Sequence, residues 1–413
     1  MAIVKPFRAL RPEASKASHI AALPYDVMDT KEARYEIEKE PLSFLRIDRP
    51  ETSFEDGHDM YAPEVYEKAK EILEEMIRNG DFILDDRQYY YIYELTMEGR
   101  SQTGIVAVCS VDDYVHGVIK KHENTLARKE QDRIDHITAL SAQTGPIFLS
   151  YRRNDEIEAE VIKAKAEEAV YDFTSDDGIR HRVWIIKDPG SADRIKDAFS
   201  AIDSIYIADG HHRCASACKV CLKKREEGNA KGGDGNEFDY FLSVLFPDSE
   251  LKIMDYNRVV RDLNGLSESR FFDRLRKTFD ITACGKDITR PAHKGQISMY
   301  LSGVWYLLDI KDDYKSDDAV DGLDVSILQR EVLSPVLGIE DPRTDERIRF
   351  VGGIRGLEAL RELVDSGMYD IAFAMYPTSI EELFNVADEG RLMPPKSTWF
   401  EPKLRSGLFI HMF

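Results

Sequence analysis

The sequence predicts a mixed α/β fold, in which strands and helices alternate along most of the chain. Short apolar runs rich in β-branched and aromatic residues are followed by segments whose apolar residues recur at helical spacing. Strand-rich stretches interrupt this alternation, so an α+β arrangement stays open beside a regular α/β one. The chain has 413 residues, of which 43% are hydrophobic and 32% charged. That length and composition fit a globular protein of two or three domains.

The first region, residues 1–103, is predicted to be α/β. Residues 62–79 carry apolar side chains at helical spacing and end before Gly80, which predicts a helix. The run 41–48 alternates as a strand does. Residues 88–97 include three consecutive tyrosines and predict a strand. This strand is expected to form a hairpin with residues 104–111, with its turn around Gly99.

The remaining elements divide into a middle region, 104–250, and a C-terminal α/β region, 251–413. The middle region predicts strands at 146–151, 182–187, 205–209 and 240–246, helices at 129–142, 156–169 and 191–202, and a glycine-rich loop at 228–236. The C-terminal region predicts strands at 296–301, 304–310, 348–351, 371–376 and 408–413, with helices at 269–278, 324–333, 356–367 and 379–389.

The net charge and the composition exclude some classes of function. Lys and Arg number 56 against 76 Asp and Glu, a formal net charge of −20. Such a surface repels nucleic acid and anionic lipid, so we expect no nucleic acid partner and no membrane association. The N-terminal residues lack the apolar core of a signal peptide, and the five cysteines do not form a disulfide-like pattern. We therefore expect a cytoplasmic protein that binds small molecules, with a homodimer as an open alternative.

The most informative motif is Asp209-Gly210-His211-His212-Arg213, which follows a predicted strand and precedes a predicted helix. Backbone N–H groups at a helix N-terminus favour an anion. Two imidazoles and a guanidinium in the same turn add donors, an acid/base candidate and a phosphate ligand. This combination favours a functional site over a structural turn with surface histidines.

Three cysteines follow this turn, at positions 214, 218 and 221. Their C-x3-C-x2-C spacing is the one that holds an iron–sulfur cluster when the segment is a loop. The intervening residues favour a helix, on which all three thiols would share one face. Packing of Cys214, Cys218 and Cys221 is the preferred interpretation, and a metal or iron–sulfur site is the alternative.

Two further segments carry candidate residues. His122-Glu123 lies between a strand-like run and a helix that contains Arg128, so Glu123 is either a general base or part of a helix cap. The closing segment 396–405 combines Lys396, Arg405 and a third cation with two aromatic residues. Such a segment either covers a nucleotide or forms a rigid tail on the surface.

Motifs distributed over the whole chain resemble a widespread family known only as a domain of unknown function. They are Pro-Phe-Arg at 6–8, Pro-Tyr-Asp-Val at 24–27, Lys-His-Glu-Asn-Thr-Leu at 121–126, Ala-Asp-Gly-His-His-Arg at 208–213 and Met-Pro-Pro-Lys-Ser-Thr-Trp-Phe-Glu-Pro-Lys-Leu-Arg-Ser-Gly-Leu at 393–408. This resemblance implies that the chain is one family unit, without saying what the family does.

A narrower resemblance implies a chemistry. The turn 209–213 is similar to the phosphate-binding turn of the ParB/sulfiredoxin-like superfamily, and particularly of its free-serine kinases. The resemblance implies that residues 104–250 form a ParB/sulfiredoxin-like nucleotide-binding core, and that the cofactors are ATP or ADP and Mg²⁺. It further implies phosphate binding by Gly210, His212 and Arg213, a metal-binding or orienting role for Asp209, and a place for His211 between nucleotide and acceptor.

The remaining roles are assigned on chemical grounds. Glu123 is the preferred catalytic carboxylate and Asp26 the second choice. The residues expected near the acceptor are Tyr25, Asp26, His122 and Arg128. Lys396 and Arg405 are expected at the phosphates or at the carboxylate of the acceptor. The predicted function is a kinase that converts L-serine to O-phosphoserine. A non-catalytic nucleotide-binding regulator of the ParB-like type and an enzyme that uses the three cysteines with a metal are the alternatives.

Overall fold

The computed structural model describes residues 1–228 and 235–413, and the chain divides into two compact units. The first unit comprises residues 1–251 and 402–413, and the second comprises residues 252–401. The predicted first and middle regions both lie in the first unit. Most of the predicted glycine-rich loop, residues 229–234, lies outside the described residues. Both units combine helices and strands, so the predicted mixed α/β class is confirmed.

The strands are described in chain order. They are β1 (Val4–Lys5), β2 (Ala9–Pro12), β3 (Phe82–Leu84), β4 (Tyr90–Met97), β5 (Arg100–Ser110), β6 (Ile119–Lys120), β7 (Ala142–Gln143), β8 (Ile147–Tyr151), β9 (Tyr171–Thr174), β10 (Arg180–Ile186), β11 (Ile205–Asp209), β12 (Tyr240–Pro247), β13 (Ile253–Met254), β14 (Tyr256–Val260), β15 (Phe279–Gly285), β16 (Gln296–Leu301), β17 (Val304–Ile310), β18 (Ile348–Gly352), β19 (Ile371–Ala374), β20 (Trp399–Phe400) and β21 (Ile410–Met412).

The α-helices lie between these strands. They are α1 (Ala17–Ile20), α2 (Thr30–Lys39), α3 (Leu45–Asp48), α4 (Pro63–Arg78), α5 (Val111–Val115), α6 (Ala127–Leu140), α7 (Asp155–Lys165), α8 (Pro189–Ser200), α9 (His211–Glu226), α10 (Glu268–Thr278), α11 (Asp324–Leu328), α12 (Gly356–Asp365) and α13 (Ile380–Asp388). None of the helices formed by the described residues is both long enough and apolar enough to span a bilayer.

The main sheet of the first unit has the order β6-β11-β8-β12-β5-β4-β10-β9, with β1 also paired to β5. The predicted hairpin is confirmed, because β4 pairs antiparallel with β5 and Met97 lies opposite Arg100. Its two turn residues, Glu98 and Gly99, both have positive φ angles, as a tight two-residue hairpin turn requires. The apolar side chains of this sheet pack with those of α7, α8 and α9 in one core.

A smaller sheet of the first unit, β3-β2-β21-β7, packs against α3 and α4. Here one prediction is wrong, because residues 41–48 form a turn and the short helix α3 rather than a strand. The alternating pattern was misleading because Phe44, Leu45 and Ile47 are all buried, so the segment does not have one apolar and one polar face. Helix α4 agrees with its prediction and buries one stripe of apolar side chains.

The second unit contains a six-stranded sheet of order β15-β17-β16-β19-β14-β18, and β13 pairs with β20. Val259, Trp305, Val351 and Leu360 belong to one core cluster on this sheet, which includes side chains of α12. The predicted helix 324–333 begins as α11 and continues as a π-helical turn over Gln329–Leu333.

Candidate functional site

The turn between β11 and α9 is a strand–glycine–helix junction, as predicted. Asp209 ends β11, Gly210 has φ +97°, and α9 begins at His211. A Cβ atom at Gly210 would lie 3.1 Å from the guanidinium of Arg213, so glycine is favoured both by the backbone conformation and by this close approach. The N-cap residue of α9 is Gly210, which has no side chain to cap the helix. The N-terminus of this 16-residue helix therefore offers backbone N–H groups and a positive partial charge to an anion.

Arg213 is held at this helix N-terminus. Its Nη1 donates to the carbonyl oxygen of Pro146. Its side chain passes Gly145, where a Cβ atom would lie 3.3 Å from Nη1, and covers Gly210. Within the described residues, Arg213 forms no ion pair with a carboxylate within 4 Å. A half-buried guanidinium that is fixed in position and retains unused donors is suited to a phosphate or carboxylate oxygen.

Asp209 is paired with a cation that the sequence-based choice of residues omitted. Lys403 donates from Nζ to Oδ2 of Asp209 at 2.8 Å. Partial desolvation opposes ionisation, but the Lys403 ammonium and the Arg213 guanidinium together hold the pKa of Asp209 well below its usual range. Asp209, Lys403 and Arg213 therefore form a cluster of one carboxylate and two cationic side chains. Lys403 was the third cation of the predicted closing segment, and its position in that motif was the only available signal.

The two histidines of the turn hold the segment that contains Glu123. The backbone N–H of His122 donates to Nε2 of His211 at 3.4 Å, and that of Leu126 donates to Nε2 of His212 at 3.0 Å. The rings of His122 and His211 meet edge to face, with their centroids 4.5 Å apart. Glu123 lies half-buried between these two attachment points. Two motifs about 90 residues apart in sequence thus meet at the N-terminus of α9.

The imidazoles of His122 and His211 are neutral at physiological pH. Burial lowers the pKa of His122 to about 4 and that of His211 well below its ordinary value. A neutral ring can accept a hydrogen bond through Nε2, which both histidines of the turn do. Their observed contacts hold the segment 122–126 against the turn.

This burial predicts a pH dependence of stability. Because the folded-state pKa of His122 is below its unfolded value, its contribution is complete above about pH 6.5 and is lost as the pH falls toward 4. Between pH 7 and pH 5, His122 alone should lower the free energy of unfolding by about 2 kcal/mol. Urea unfolding at both pH values should show a smaller decrease for His122→Gln than for the wild type. His19→Gln, at an exposed histidine, is the control, and an unchanged decrease in His122→Gln would contradict the assignment.

A small cavity lies beside Arg213. It has a volume of about 30 Å³, and its lining includes Tyr25, Arg133, Thr144, Arg213 and Ser406. The guanidinium of Arg133 lies 4.0 Å from the centroid of the Tyr25 ring, and burial raises the pKa of Tyr25 to about 12, so its hydroxyl is a donor at neutral pH. The cavity has room for about one water molecule. Of the Pro-Tyr-Asp turn, Tyr25 lines this cavity and Asp26 is exposed.

The other predicted cations have different surroundings. The guanidinium of Arg128 lies over the ring of Tyr61 at 4.5 Å. Lys396 belongs to the second unit, where its ammonium lies 5.6 Å from the ring centroid of Tyr256. Arg405 is buried in the first unit, and its partners are the side chains of the β9–β10 hairpin, Ser175, Asp177 and His181. The observed partners of Arg128 and Arg405 are not residues of the turn 209–213.

The three cysteines lie on α9, as their helix-forming neighbours predicted. Cys214, Cys218 and Cys221 are buried in the main core of the first unit, together with Cys109. Burial raises the pKa of each of the three thiols. Among the described residues, no three side chains of His, Cys, Asp or Glu cluster in a way that could hold a metal ion. The helix also lacks the loop conformation that three thiolates need to converge on a cluster.

Replacement of all three thiols tests the packing interpretation. Cys214→Ala/Cys218→Ala/Cys221→Ala should lower the melting temperature by several degrees, since each lost buried sulfur costs on the order of 1 kcal/mol. Nucleotide binding should remain. Scanning calorimetry and nucleotide titration measure both, with Cys284→Ala in the second unit as the control. Stoichiometric iron in anaerobically purified wild-type protein would support the metal alternative instead.

The chain belongs to the family described as protein of unknown function (DUF1015), whose model matches residues 4–326. No curated protein matches this sequence. Among solved structures, the chain is similar to a free serine kinase in complex with AMP, at 16% identity and a TM-score of 0.35, over 74% of this chain and 91% of that one.

Two further solved structures are similar to the same degree. SbnI with C-terminal truncation from Staphylococcus aureus has 11% identity and a TM-score of 0.38, over 74% of this chain and 87% of that one. A conserved hypothetical protein from Pyrococcus furiosus has 16% identity and a TM-score of 0.35, over 74% of this chain and 94% of that one.

Proposed function

We propose that this protein is a nucleotide-dependent small-molecule kinase that transfers a phosphoryl group from ATP or ADP to the hydroxyl group of free L-serine. One observation carries the proposal. The two histidines of the turn hold the segment containing Glu123 against a helix N-terminus whose N-cap is Gly210 and which also carries Arg213. Phosphoryl transfer needs a phosphate site and a base beside it, and this arrangement supplies a candidate for each. The choice of L-serine rests on the resemblance of the turn to free-serine kinases.

The phosphate site combines several sources of positive charge. The N-terminus of α9 supplies backbone N–H groups, Arg213 supplies a guanidinium, and Lys403 supplies an ammonium group at Asp209. Donors fixed in place before the reaction stabilise the charge that develops on the transferred phosphoryl oxygens. His211 and His212 accept hydrogen bonds from the segment 122–126 and so hold it against the turn.

Asp209 fits the requirements of a magnesium site in which phosphate oxygens supply most of the ligands. Its carboxylate is ionised and one-third exposed, and only Oδ2 contacts Lys403. Mg²⁺ commonly uses one or two protein carboxylates and completes its shell with water and phosphate. When bound there, the ion would neutralise phosphate charge. The hydrogen bond from Lys403, which lies in the same unit, fixes the orientation of the Asp209 carboxylate.

Glu123 is the proposed base for the serine hydroxyl. The histidines of the turn hold its segment at both ends, so the backbone at Glu123 lies close to the phosphate site. A positioned carboxylate in this role contributes about 10²–10⁴ in rate. The serine carboxylate requires a cation, and Arg133 is a candidate because it shares a cavity wall with Arg213. The guanidinium of Arg133 is oriented by Asp132, with Nε 2.9 Å from Oδ2.

The size of the cavity favours a second candidate function, a nucleotide-binding regulator without catalysis. At about 30 Å³ the cavity does not accommodate an amino acid, so an acceptor would require side chains to move. A regulator needs the phosphate site but not Glu123.

Incubation with ATP or ADP, Mg²⁺ and a panel of amino acids, read by phosphorus NMR, separates the two functions. The kinase produces a phosphomonoester with serine, whereas the regulator binds nucleotide without phosphorylating any amino acid.

A further inference from the structure

The second unit contains a buried arginine that pairs with no carboxylate among the described residues. Arg258 lies on β14 and is 3% exposed. It is paired with Phe350 on β18 and Phe373 on β19, so these side chains share one face of the sheet. Val259, the next residue, points to the opposite face, into the core formed with α12. Arg258 therefore lies on the face of the sheet that α12 does not cover.

The hydrogen bonds of Arg258 do not neutralise its charge. Its Nη1 donates to the carbonyl oxygen of Tyr256, and its Nη2 donates to that of Lys396 at 3.1 Å. Among the described residues, no carboxylate lies within ion-pair distance of its guanidinium. Burial lowers its pKa to about 10, so the group stays charged at neutral pH. A buried charge without a counter-ion is costly, and a bound anion would compensate it.

A cavity of about 290 Å³ lies against Arg258. Val325, Leu333, Phe350, Pro394 and Pro395 form its apolar walls. The Phe350 ring lies 5.4 Å from the guanidinium carbon of Arg258. This volume is close to the lower end of the range for small-molecule sites, which commonly pair apolar walls with a few polar groups.

The other charged groups on the cavity wall do not serve as counter-ions for Arg258. Asp341 pairs with Arg343, through Nε to Oδ1 at 2.9 Å and Nη2 to Oδ2 at 2.7 Å. Glu340 is exposed and accepts a hydrogen bond from Ser334 at 2.8 Å. Among these charged groups, Arg258 is therefore the buried one whose charge no described carboxylate balances, whereas Glu340 is exposed to solvent.

We infer that this cavity is a second ligand site, which binds the carboxylate group of a small organic acid through Arg258 and its apolar part against Phe350, Pro394 and Pro395. A guanidinium fits a carboxylate through two parallel hydrogen bonds. The apolar chain of such an acid would contact the apolar walls of the cavity. Inorganic phosphate has no apolar part that could do so. Pro394 and Pro395 belong to the closing motif, and this site gives a role to the part of that motif that lies in the second unit.

The test measures ligand-induced thermal stabilisation of the full chain. The probes are L-leucine, 4-methyl-2-oxopentanoate, L-leucinamide and inorganic phosphate, each at roughly 10 mM. We expect a rise in melting temperature with one or both carboxylates and none with leucinamide, which has the same side chain but no carboxylate. A response to the oxo acid alone or to leucine alone identifies which class of organic acid binds. No response to either carboxylate, an equal response to leucinamide, or a response to phosphate only would overturn the inference.

Substitutions of Arg258 test whether the carboxylates bind at this cavity. Arg258→Met should abolish the stabilisation by carboxylates while leaving the melting temperature without ligand unchanged or higher, because a buried unpaired charge is removed. Arg261→Gln, at an exposed arginine just after β14, should respond as the wild type does. If Arg258→Met does not fold, Arg258→Lys should weaken carboxylate binding at least tenfold, since an ammonium lacks the two-pronged geometry. Wild-type affinity in a folded Arg258 variant would overturn the inference.

Discussion

Glu123→Gln is expected to lower turnover with L-serine by about two orders of magnitude or more while leaving nucleotide affinity nearly unchanged. The amide has almost the shape of the carboxylate but cannot accept the hydroxyl proton. Glu123 lies on the segment held by His211 and His212, so the substitution should not disturb the phosphate site. Steady-state kinetics and nucleotide titration of the same preparation measure the two effects separately.

The matched control is Glu74→Gln, at an exposed glutamate of α4 far from the turn in sequence, which should keep wild-type turnover. Asp26→Asn tests the second choice of base. If turnover survives in Glu123→Gln and is lost in Asp26→Asn, the catalytic carboxylate belongs to the Pro-Tyr-Asp turn. If both variants keep full turnover, neither carboxylate is the base.

Arg213→Ala is expected to weaken nucleotide binding by about 1.5–3 kcal/mol, which corresponds to roughly a tenfold to hundredfold higher Kd. The guanidinium lies over Gly210 at the N-terminus of α9, where phosphate charge would be bound. Turnover should fall as well, because the same charge stabilises the transferred phosphoryl group. Isothermal titration with ADP measures the change in affinity directly.

Arg78→Ala, at a two-thirds exposed arginine of α4, is the control and should bind nucleotide as the wild type does. Circular dichroism establishes that Arg213→Ala remains folded, which matters because Arg213 also bonds to the carbonyl of Pro146. Unchanged affinity in a folded Arg213→Ala variant would contradict the phosphate role of the turn.

The strand, turn and helix of the site were predicted correctly, because residues that are neighbours in the sequence determine each of them. A β-rich run, a glycine and a helix-forming segment produced the junction at Gly210, and its φ of +97° is one that glycine tolerates. The spacing of the three cysteines and their helix-forming neighbours predicted α9 for the same reason. Both features depend on residues close together in the chain.

Contacts between distant segments were not predictable in this way. The bond from Lys403 to Asp209 joins residues 194 positions apart, and nothing in the closing motif distinguishes Lys403 from Arg405. Arg405 instead bonds to side chains of the β9–β10 hairpin, more than 220 positions away in the chain. The strand predicted at residues 41–48 was wrong for the same reason. Its apolar residues are buried on several sides by distant segments, and the run forms a turn and a short helix.

The most direct test of the proposed function is a phosphorus NMR time course of the full chain with Mg²⁺, nucleotide and L-serine, with L-alanine as the matched acceptor that lacks a hydroxyl group. We expect O-phosphoserine from L-serine with the wild type, no phosphorylated product from L-alanine, and strongly reduced product with Glu123→Gln. Nucleotide binding by the wild type without any transfer to L-serine would contradict the assignment as a serine kinase.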